Sequence, residues 1–447
     1  MTGDKTVLII GSGPSAYITA LTCLEHNLNI TIASPIVDKW KNSSDSTLMK
    51  KLILKRRFAE RNYYKIPNLI SEFQTKKIDL FENFNMGGLS NIWGGVFLPP
   101  NMAEFIFDDK LKKGFKDAIE YVERVIPIKN RESVIYKTLF NGANNAISIE
   151  ESFTLSNADL DKEVNWSAFE LKNDMRFKEV RYLDRFVDGI ETLANKLVKV
   201  KFIDDNNIET FEIFDKVFVG AGVFGTARIL LNSLGDGISF KVSDSAVTTC
   251  LVLKLKRESN NKLKSRMTPE SLYLNKSDNG KVQSYAQIYK FSTELIESLK
   301  YKPMQKLMIK TLNVLQLNLR LIMFFHPAET SQKIILSKQN NTLLANSWGR
   351  HEYLAGLIKA LNFYFKRRYL PLTPLIKMRP GAGVHSGAFI KFDSIDHQGK
   401  IDSTVADWPN VHVVGSATLP IIPTGPIMIS LMANSRVITL NSLKDFE

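Results

Sequence analysis

The N-terminal region combines short apolar runs with a glycine-rich turn and one helical stretch. Thr6–Ile10 is an apolar run that ends in the segment Gly11-Ser12-Gly13-Pro14-Ser15-Ala16. A helical pattern follows from Ala16 to about Glu25, and Ile30–Ala33 is a second apolar run. These patterns predict a strand, a glycine turn, a helix and a strand, which is the opening of a dinucleotide-binding βαβ unit.

Similar patterns continue along the rest of the chain. Alternation predicts a small β-meander over Val198–Phe202 and Phe211–Ile213, with its turn at Asp204–Asn207. Lys216–Val219 predicts a strand that leads through glycines into a helix over Ala227–Ser233. The other predicted elements are a strand from Thr248 to Lys256, a helix over Lys290–Leu312, a half-buried strand over Leu315–Leu321 with Lys333–Leu336 as its antiparallel partner, a helix over Tyr353–Phe365, a strand over Val411–Val414 and a terminal helix over Ile427–Leu440.

The composition is that of a globular chain with a hydrophobic core. Its 447 residues are 44% hydrophobic and 23% charged, and the length suggests two or three domains. Cys23 and Cys250 are the only cysteines, which excludes a disulfide framework and any Cys-rich zinc or iron–sulfur site, so no metal site is predicted. No apolar run reaches the roughly 18 residues of a membrane span, and the start lacks the basic region of a signal peptide. We expect a cytoplasmic protein.

The positive charge is concentrated in one segment. The chain has a net charge of +13, but residues 251–380 contain 23 Lys and Arg against 7 Asp and Glu, a net of +16. Such a segment attracts anions or anionic surfaces, or it is a solvated basic face that only aids solubility.

The first glycine turn has most of the features of a dinucleotide fingerprint. Gly11 permits the tight turn, Gly13 lets the backbone approach a pyrophosphate, and Ala16 allows close packing of helix on strand. The acidic residue expected at the end of the second strand is replaced by Ser34, which hydrogen-bonds a ribose more weakly than a carboxylate does. An ordinary strand–helix turn is the alternative.

The order of the glycine motifs resembles that of a known family. After the Gly11–Ala16 turn come Gly87-Gly88-Leu89-Ser90 and then Val219–Thr226, which ends in Gly225-Thr226. The C-terminal part contains Asn410–Ala417, followed by Pro420 and Gly425-Pro426. This series of motifs resembles the glucose–methanol–choline (GMC) oxidoreductases at both ends of the chain.

The resemblance implies an FAD enzyme that oxidises an alcohol carbon by hydride transfer to the flavin ring. It places the glycine-rich segments and the start of the last helix around the cofactor. The implied cofactor-binding residues are Gly11, Gly13, Ser15, Ala16, Ser34, Gly87, Gly88, Ser90, Asn91, Gly220, Ala221, Gly222, Gly415, Ser416, Pro426 and Ile427. The positive N-terminus of the last helix suits the anionic reduced flavin.

The resemblance also identifies a candidate general base. His385 lies about thirty residues before the closing flavin segment, where the family keeps its catalytic histidine, and an imidazole titrates near the working pH. His412 alternates within a buried strand and is expected to be structural. The family places a second His or Asn just before a proline ahead of the last helix, and here that position is Gly425. Asn91 is the residue proposed to supply the missing contact with the substrate oxygen.

These observations lead to one expected architecture and three expected functions. We predict an α/β fold: a discontinuous Rossmann-like FAD-binding domain (residues 1–250 and 381–447) and a basic α+β substrate domain with an antiparallel sheet (residues 251–380). The leading function is FAD-dependent oxidation of an alcohol group of a sugar, a polyol, or a phosphate- or lipid-linked sugar. A membrane-associated flavoenzyme that acts on a lipophilic alcohol, and a non-catalytic FAD-binding scaffold, are the alternatives. An anionic membrane surface is an expected partner through Lys366, Arg367 and Arg368, and nucleic acid is not.

Overall fold

The secondary structure consists of many short strands and a few longer helices. The computed structural model describes residues 5–35, 73–75, 78–80, 82, 86–91, 100, 102–105, 109–126, 146–149, 168, 174–204, 206–255, 271–276, 282–290, 319–349, 357–358, 360–364, 368–382, 385–390 and 408–444. The longer helices are α1 (Pro14–Glu25), α2 (Asp109–Val125), α3 (Gly222–Leu234) and α4 (Met428–Leu443). The strands are β1 (Thr6–Ile10), β2 (Asn29–Ala33), β3 (Gln74–Thr75), β4 (Ala146–Ile149), β5 (Arg181–Leu183), β6 (Phe186–Thr192), β7 (Val198–Ile203), β8 (Glu209–Phe214), β9 (Lys216–Val219), β10 (Ser239–Asp244), β11 (Val247–Lys254), β12 (Ser271–Lys276), β13 (Val282–Lys290), β14 (Leu319–Phe325), β15 (Lys333–Gln339), β16 (Thr342–Trp348), β17 (Tyr369–Pro371), β18 (Ile376–Lys377), β19 (Ser386–Gly387) and β20 (Val411–Val413).

A parallel sheet of five strands forms the centre of the fold. Its order is β20-β9-β1-β2-β5, and every neighbouring pair is parallel. Both faces are buried, because Val7 and Ile9 of β1 belong to one hydrophobic cluster while Leu8 and Ile10 belong to another. Continuous apolar strands of this kind are typical of parallel sheets covered on both sides. The predicted βαβ opening is therefore confirmed.

Different elements cover the two faces of this sheet. The cluster that contains Val7 also contains side chains of α1, α2 and α4, and both α1 and α2 pack against α4. The cluster that contains Leu8 includes α3, the meander β6-β7-β8 and strands of a second sheet. The meander occurs where the alternation predicts it, with antiparallel pairing throughout.

Two further sheets contain the remaining strands. The second sheet has the order β19-β10-β15-β16-β3. The third has the order β17-β11-β14-β13-β12-β4, and β18 also pairs with β11. The mixed α/β class with an antiparallel sheet is confirmed. The predicted domain boundary after residue 250 falls within β11, and the division into domains stays a prediction.

The predicted pairing of Lys333–Leu336 with the preceding strand is wrong. Strand β14 pairs with β11 and β13, whereas β15 pairs with β10 and β16 in another sheet. The chain changes sheet at the short 3₁₀ helix Ala328–Thr330, which follows Pro327. Strand β14 is buried at every position rather than half-buried, because its two faces belong to two different hydrophobic clusters.

Other elements lie partly outside the described residues. Residues 357–358 and 360–364 are helical, as predicted for Tyr353–Phe365, while the predicted helix Lys290–Leu312 lies outside the described residues apart from Lys290, which ends β13. No helix in the described part of the chain is long and apolar enough to cross a membrane.

Candidate functional site

The glycine turn after β1 lies at the carboxyl edge of the parallel sheet. Gly11 has φ +107°, and a Cβ there would lie 2.4 Å from the carbonyl oxygen of Gly220. The Gly11 N–H donates to Ala33 O over 2.8 Å, and the Gly220 N–H donates to Ile10 O over 2.8 Å. Three strand ends therefore meet at backbone that has no room for a side chain, which is the edge where ligands bind in open α/β sheets.

Gly13 differs from Gly11 because it borders open space. It is the N-terminal cap of α1 with φ −78°, and a Cβ there would meet no atom of the described residues within 4 Å. The first turn of α1 contains no acidic side chain, and no side chain caps it. At Gly13, therefore, no described side chain stands in the way of an anion that approaches the helix start.

Ser34 lies where the sequence predicts it, but its hydroxyl is already engaged. The Ser34 and Ser12 Oγ atoms are 2.7 Å apart, and both residues are buried. The Gly87 N–H donates to Ser12 O over 3.1 Å and lies 3.2 Å from Ser12 Oγ. Ser12 therefore attaches the second glycine segment to the first glycine turn, although these two segments are distant in sequence.

The second glycine segment forms a tight turn. Gly87 and Gly88 have φ +95° and +57°, and a 3₁₀ helix covers Gly88–Asn91. Ser90 Oγ donates to Gly87 O over 2.6 Å and accepts from the Ala168 N–H over 2.9 Å. The hydroxyl of Ser90 thus stabilises the turn. The side chain of Asn91 lies outside the described part of the structure, so its proposed contact with the substrate stays a prediction.

The closing segment approaches the first turn directly. Gly415 has φ +94°, and a Cβ there would lie 2.5 Å from Ser15 Oγ. The Ala388 N–H donates to Ser416 O over 2.8 Å, which joins this segment to the strand that follows His385. Of the predicted cofactor residues, Gly11, Ser15, Gly220 and Gly415 therefore lie together.

The remaining predicted cofactor residues lie at or next to the starts of helices. The main-chain nitrogen of Ala16 lies 3.6 Å from the position of a Cβ on Gly220. Ala221 caps α3, and Gly222 begins that helix with φ +74°. Pro426 and Ile427 are buried directly before α4, and Ile427 is its N-terminal cap, so the helix begins one residue later than predicted.

His385 stacks on an aromatic ring. The imidazole lies 4.7 Å from the Phe325 ring centroid at an interplanar angle of 24°. The residue is partly buried, whereas its Nδ1 atom is enclosed and has no hydrogen-bond partner among the described residues. Burial lowers the pKa of His385 to about 4, because desolvation disfavours the imidazolium. The ring is therefore neutral near pH 7, as a proton acceptor must be, but it titrates below the working pH that the sequence predicted, which makes it a weaker base.

The other buried histidines have structural surroundings. His412 is fully buried in β20 with its ring centroid 5.4 Å from that of Phe218, as its alternation predicts. His326 Nε2 lies 3.0 Å from Thr248 Oγ1.

A cleft lies near the His385 segment. It is lined by Glu104, Pro327, Ala328, Glu329, Ile421, Ile422 and Thr424. The Cδ1 atom of Ile422 lies 2.9 Å from the position of a Cβ on Gly387, which brings the cleft next to β19. The buried Glu104 accepts a hydrogen bond from the Thr424 N–H over 3.2 Å, beside Gly425. Sequence reasoning missed Glu104, because nothing local connects it with Thr424.

Asn434 is a second residue that sequence reasoning missed. Its Nδ2 donates to Gly415 O over 3.0 Å and to Thr418 Oγ1 over 2.8 Å, and the residue is buried in α4. An amide on the buried side of an apolar helix was the available signal, because a buried amide requires partners.

The basic triplet is only partly described. Lys366 and Arg367 lie outside the described residues. Arg368 is exposed with φ +55°, and its carbonyl oxygen accepts a hydrogen bond from the Leu255 N–H over 3.0 Å.

Comparison with known proteins gives matches among solved structures. No family model and no curated protein matches the sequence. Pyridoxine 4-oxidase from Mesorbium loti superposes with a TM-score of 0.61 at 11% identity, covering 98% of this chain and 99% of that one. A formate oxidase gives a TM-score of 0.61 at 10% identity over 100% of this chain and 99% of its own. A formate oxidase variant from Aspergillus oryzae RIB40, studied for its FAD modification, gives the same TM-score, identity and coverage. At this identity the likeness shows a shared fold over the whole chain.

Proposed function

We propose that this chain, which has the fold of the GMC oxidoreductases, is an FAD-dependent oxidoreductase that oxidises an alcohol group with His385 as the base. The observation that supports this most strongly is the meeting of Gly11, Gly220 and Gly415 around the open start of α1 at the carboxyl edge of the parallel sheet. A solved neighbour whose FAD modification has been studied is consistent with the same cofactor.

The described residues fit the phosphate part of FAD. Gly13 and the first turn of α1 leave space for a pyrophosphate, and Gly415 packs closely against Ser15 beside this turn. Ser34 has a neutral hydroxyl where a carboxylate is expected, and it already bonds Ser12. We infer weaker binding of the adenosine ribose than a carboxylate provides. When bound, FAD supplies an acceptor for the hydride that leaves the alcohol carbon.

His385 is suited to accept the alcohol proton. Its ring is neutral and stacks on Phe325, and the Ala388 N–H, directly after β19, donates to Ser416 O. A base must be deprotonated and must lie within hydrogen-bond reach of the proton that it removes. Gly425 offers no side chain to the substrate oxygen, so one partner is lost, at a typical cost of a few kcal/mol in the transition state.

The carboxylates near β19 support an uncharged donor. Glu104 and Glu329 line the cleft beside that strand, and carboxylates repel a phosphate group at short range. Among the expected substrates we therefore favour a free sugar or polyol over a phosphate-linked one, because hydroxyls can donate to carboxylates. By its name, formate oxidase acts on formate, so oxidation of a CH–OH group belongs to this proposal.

A substrate screen tests the proposal. FAD-reconstituted protein is mixed anaerobically with sugars, polyols, aliphatic alcohols and sugar phosphates, and bleaching of the flavin absorption is followed. We expect an uncharged alcohol to bleach the flavin in the wild type and not in His385→Ala, whose oxidised spectrum stays unchanged. Equal bleaching in His385→Ala contradicts the role of the base. Bound flavin that no alcohol bleaches indicates the non-catalytic scaffold.

A membrane-associated form of this enzyme is a second candidate. Leu255 is 61% exposed and Leu370 is 48% exposed. The Leu255 N–H donates to Arg368 O, and Leu370 follows Arg368 by two residues in the sequence. Exposed leucines beside basic residues suit an anionic bilayer, and the segment from residue 251 to 380 has a net charge of +16. The occupant that we propose for this surface is an anionic lipid membrane.

A further inference from the structure

A buried carboxylate lies beside the strand that follows His385. Asp244 is 1% exposed at the end of β10. Its Oδ1 accepts from Ser386 Oγ over 2.6 Å, and its Oδ2 accepts from the Gly381 N–H over 2.8 Å. One carboxylate therefore bonds to both ends of the short segment that contains His385.

Backbone pairing strengthens this connection. Asp244 pairs with Ser386, and Ser243 pairs with Gly387, between antiparallel strands β10 and β19. The Ser245 N–H donates to His385 O over 3.0 Å. The main chain of the candidate base is thus attached to the same strand end that provides the carboxylate.

Close packing against Asp79 restricts the position of Gly381. Gly381 has φ +86°, and a Cβ there would lie 2.1 Å from Asp79 O. The Asp79 N–H donates to Pro380 O over 2.9 Å. A shift of Gly381 away from Asp244 therefore disturbs its packing against Asp79 as well.

We propose that Asp244 is a positioning residue for His385, and that its carboxylate holds Gly381 and Ser386, on either side of His385 in the sequence, so that the imidazole keeps its place on Phe325. This inference rests on the proposed function, because it assigns Asp244 a role only through the candidate base. Misplacement of a catalytic group by about 1 Å can cost a hundredfold in rate, so a residue with this task affects the chemistry without touching the substrate.

The hydrogen bonds that Asp244 accepts from Ser386 and Gly381 depend on the charge of its carboxylate. An ionised carboxylate accepts from both donors, whereas a protonated one has a hydrogen on one oxygen, and Ser386 Oγ must then turn from donor to acceptor. Burial raises the pKa of Asp244 to about 6, against the opposing effects of Gly381, Ser386 and Lys333. The hydrogen bond between Asp244 and Ser386 therefore reverses its direction as the pH falls through about 6.

The charged groups around Asp244 are few among the described residues. Lys333 on β15 donates to Ser243 Oγ over 3.3 Å and to Ala328 O, and burial lowers the pKa of its amine. Lys241 on β10 and Glu329 act on Lys333 rather than on Asp244 directly. Near Gly381, Asp79 is 3.7 Å from Arg379.

The test follows the His385 ring itself. In FAD-reconstituted protein, histidine labelled with ¹³C at Cε1 gives NMR signals for six residues, and His385→Ala identifies the signal of His385. In the wild type we expect this signal to shift with an inflection near pH 6, in addition to the ring's own titration at lower pH. In Asp244→Asn the inflection near pH 6 is expected to be absent.

A second variant keeps the test decisive if Asp244→Asn does not fold. Ser386→Ala removes a donor that lowers the pKa of Asp244, so the inflection is expected at higher pH. Ser233→Ala is the matched control, because Ser233 Oγ also makes two hydrogen bonds, to Ile229 O and the Ile190 N–H, away from His385. It should leave the inflection unchanged.

The outcomes separate this inference from the proposed function. A wild-type His385 signal without the inflection, or an inflection that persists in Asp244→Asn or does not move in Ser386→Ala, overturns the role of Asp244. Failure to take up FAD overturns the proposed function, while the coupling between Asp244 and His385 can still be measured in the cofactor-free protein. The His385 signal can show the inflection while His385→Ala does not slow flavin bleaching. In that case His385 is not the base, and the coupling between Asp244 and His385 still stands.

Discussion

At the scale of residues, two glycines that look equivalent in the sequence have different surroundings. Gly11 is enclosed by the backbone of Gly220, whereas a Cβ on Gly13 meets no described atom and its backbone conformation is one that alanine also adopts. The first glycine is required by the fold, and the second is free to serve a ligand. Substitution of Gly13 can therefore separate binding from stability.

The first prediction concerns Gly13→Ala. Its methyl group meets no described atom within 4 Å, so we expect the free energy of unfolding of the cofactor-free protein to fall by less than about 1 kcal/mol. FAD binding should weaken at least about tenfold, or about 1.4 kcal/mol, because the methyl occupies the path of the pyrophosphate. Urea denaturation and FAD titration measure the two effects.

Gly114→Ala is the matched control for Gly13→Ala. Gly114 lies inside α2 and also borders open space, so alanine there should stabilise the protein by about 1 kcal/mol and leave FAD affinity unchanged. Unchanged FAD affinity in Gly13→Ala contradicts the assignment of the α1 start to the pyrophosphate.

The second prediction concerns the opposite pH dependences of Asp244 and His385. Between about pH 6.5 and 4 the unfolded state binds the extra proton at His385, so this group lowers stability as the pH falls. Between about pH 6 and 4 the folded state binds the extra proton at Asp244, so this group raises stability as the pH falls. Each effect amounts to about 3 kcal/mol, and the two largely cancel.

Single variants should reveal the two contributions. From pH 6.5 to 4, Asp244→Asn should lose about 3 kcal/mol more stability than the wild type, and His385→Gln should lose about 3 kcal/mol less. Urea denaturation at several pH values measures both. Curves parallel to that of the wild type in both variants would show that neither group is buried as described.

Sequence reasoning found the glycines of the site and missed the side chains that hold them in place. A positive φ or a close backbone approach restricts a position to glycine, so Gly11 and Gly415 are recognisable within their own segments. Asp244, Glu104 and Asn434 bond to residues that folding alone brings near them. No local pattern marks such long-range partners.

At the scale of elements, α4 does more than cover the parallel sheet. Its buried Asn434 bonds Gly415 O and Thr418 Oγ1, so the helix fixes the closing glycine turn. Pro426 and the apolar stretch after it predicted the helix, and the family resemblance implied that its start lies near the cofactor. It did not predict that one amide within the helix would hold the turn.

The third prediction is that Asn434→Ala weakens both the fold and the cofactor site. Loss of hydrogen bonds to buried acceptors should lower the free energy of unfolding by about 1–3 kcal/mol. FAD affinity should fall as well, because the Gly415 turn loosens. Asn441→Ala, at a partly buried position of the same helix, is the control and should retain FAD affinity. Equal FAD affinity in all three proteins would contradict this role of Asn434.

Strand β14 shows why an element can be misassigned from its pattern. Alternating leucines suggested one buried and one polar face, yet the buried positions include Arg320 as well as the apolar residues. The helical residues near 360 cover the face that the alternation left for solvent. Burial by an element forty residues away cannot be deduced from the strand itself.

At the scale of the whole molecule, the chain combines a parallel sheet buried on both faces with two other sheets. The parallel core was predictable because apolar strands, glycine turns and helices occur there in a fixed local order. The pairing of the other strands was not, since β14 and β15 are neighbours in sequence and lie in different sheets. The positive surplus falls in the segment that contains these strands.

The fourth prediction tests the membrane surface. Wild-type protein should float with vesicles that contain phosphatidylserine and not with neutral phosphatidylcholine vesicles. Charge reversal at Lys366, Arg367 and Arg368, or serine at both Leu255 and Leu370, should abolish flotation. Serine at Phe211 and Ile213 is the control, since these residues are similarly exposed on the meander. Absence of flotation in the wild type, or equal loss in the control, contradicts the proposed membrane association.

The central claim is that the carboxyl edge of the parallel sheet binds FAD. Titration of the purified cofactor-free protein with FAD, followed by flavin fluorescence, tests it most directly. We predict saturable quenching with one FAD per chain, weakened by Gly13→Ala and unaffected by Gly114→Ala. A folded protein that leaves the fluorescence of FAD unchanged at every concentration would contradict the account.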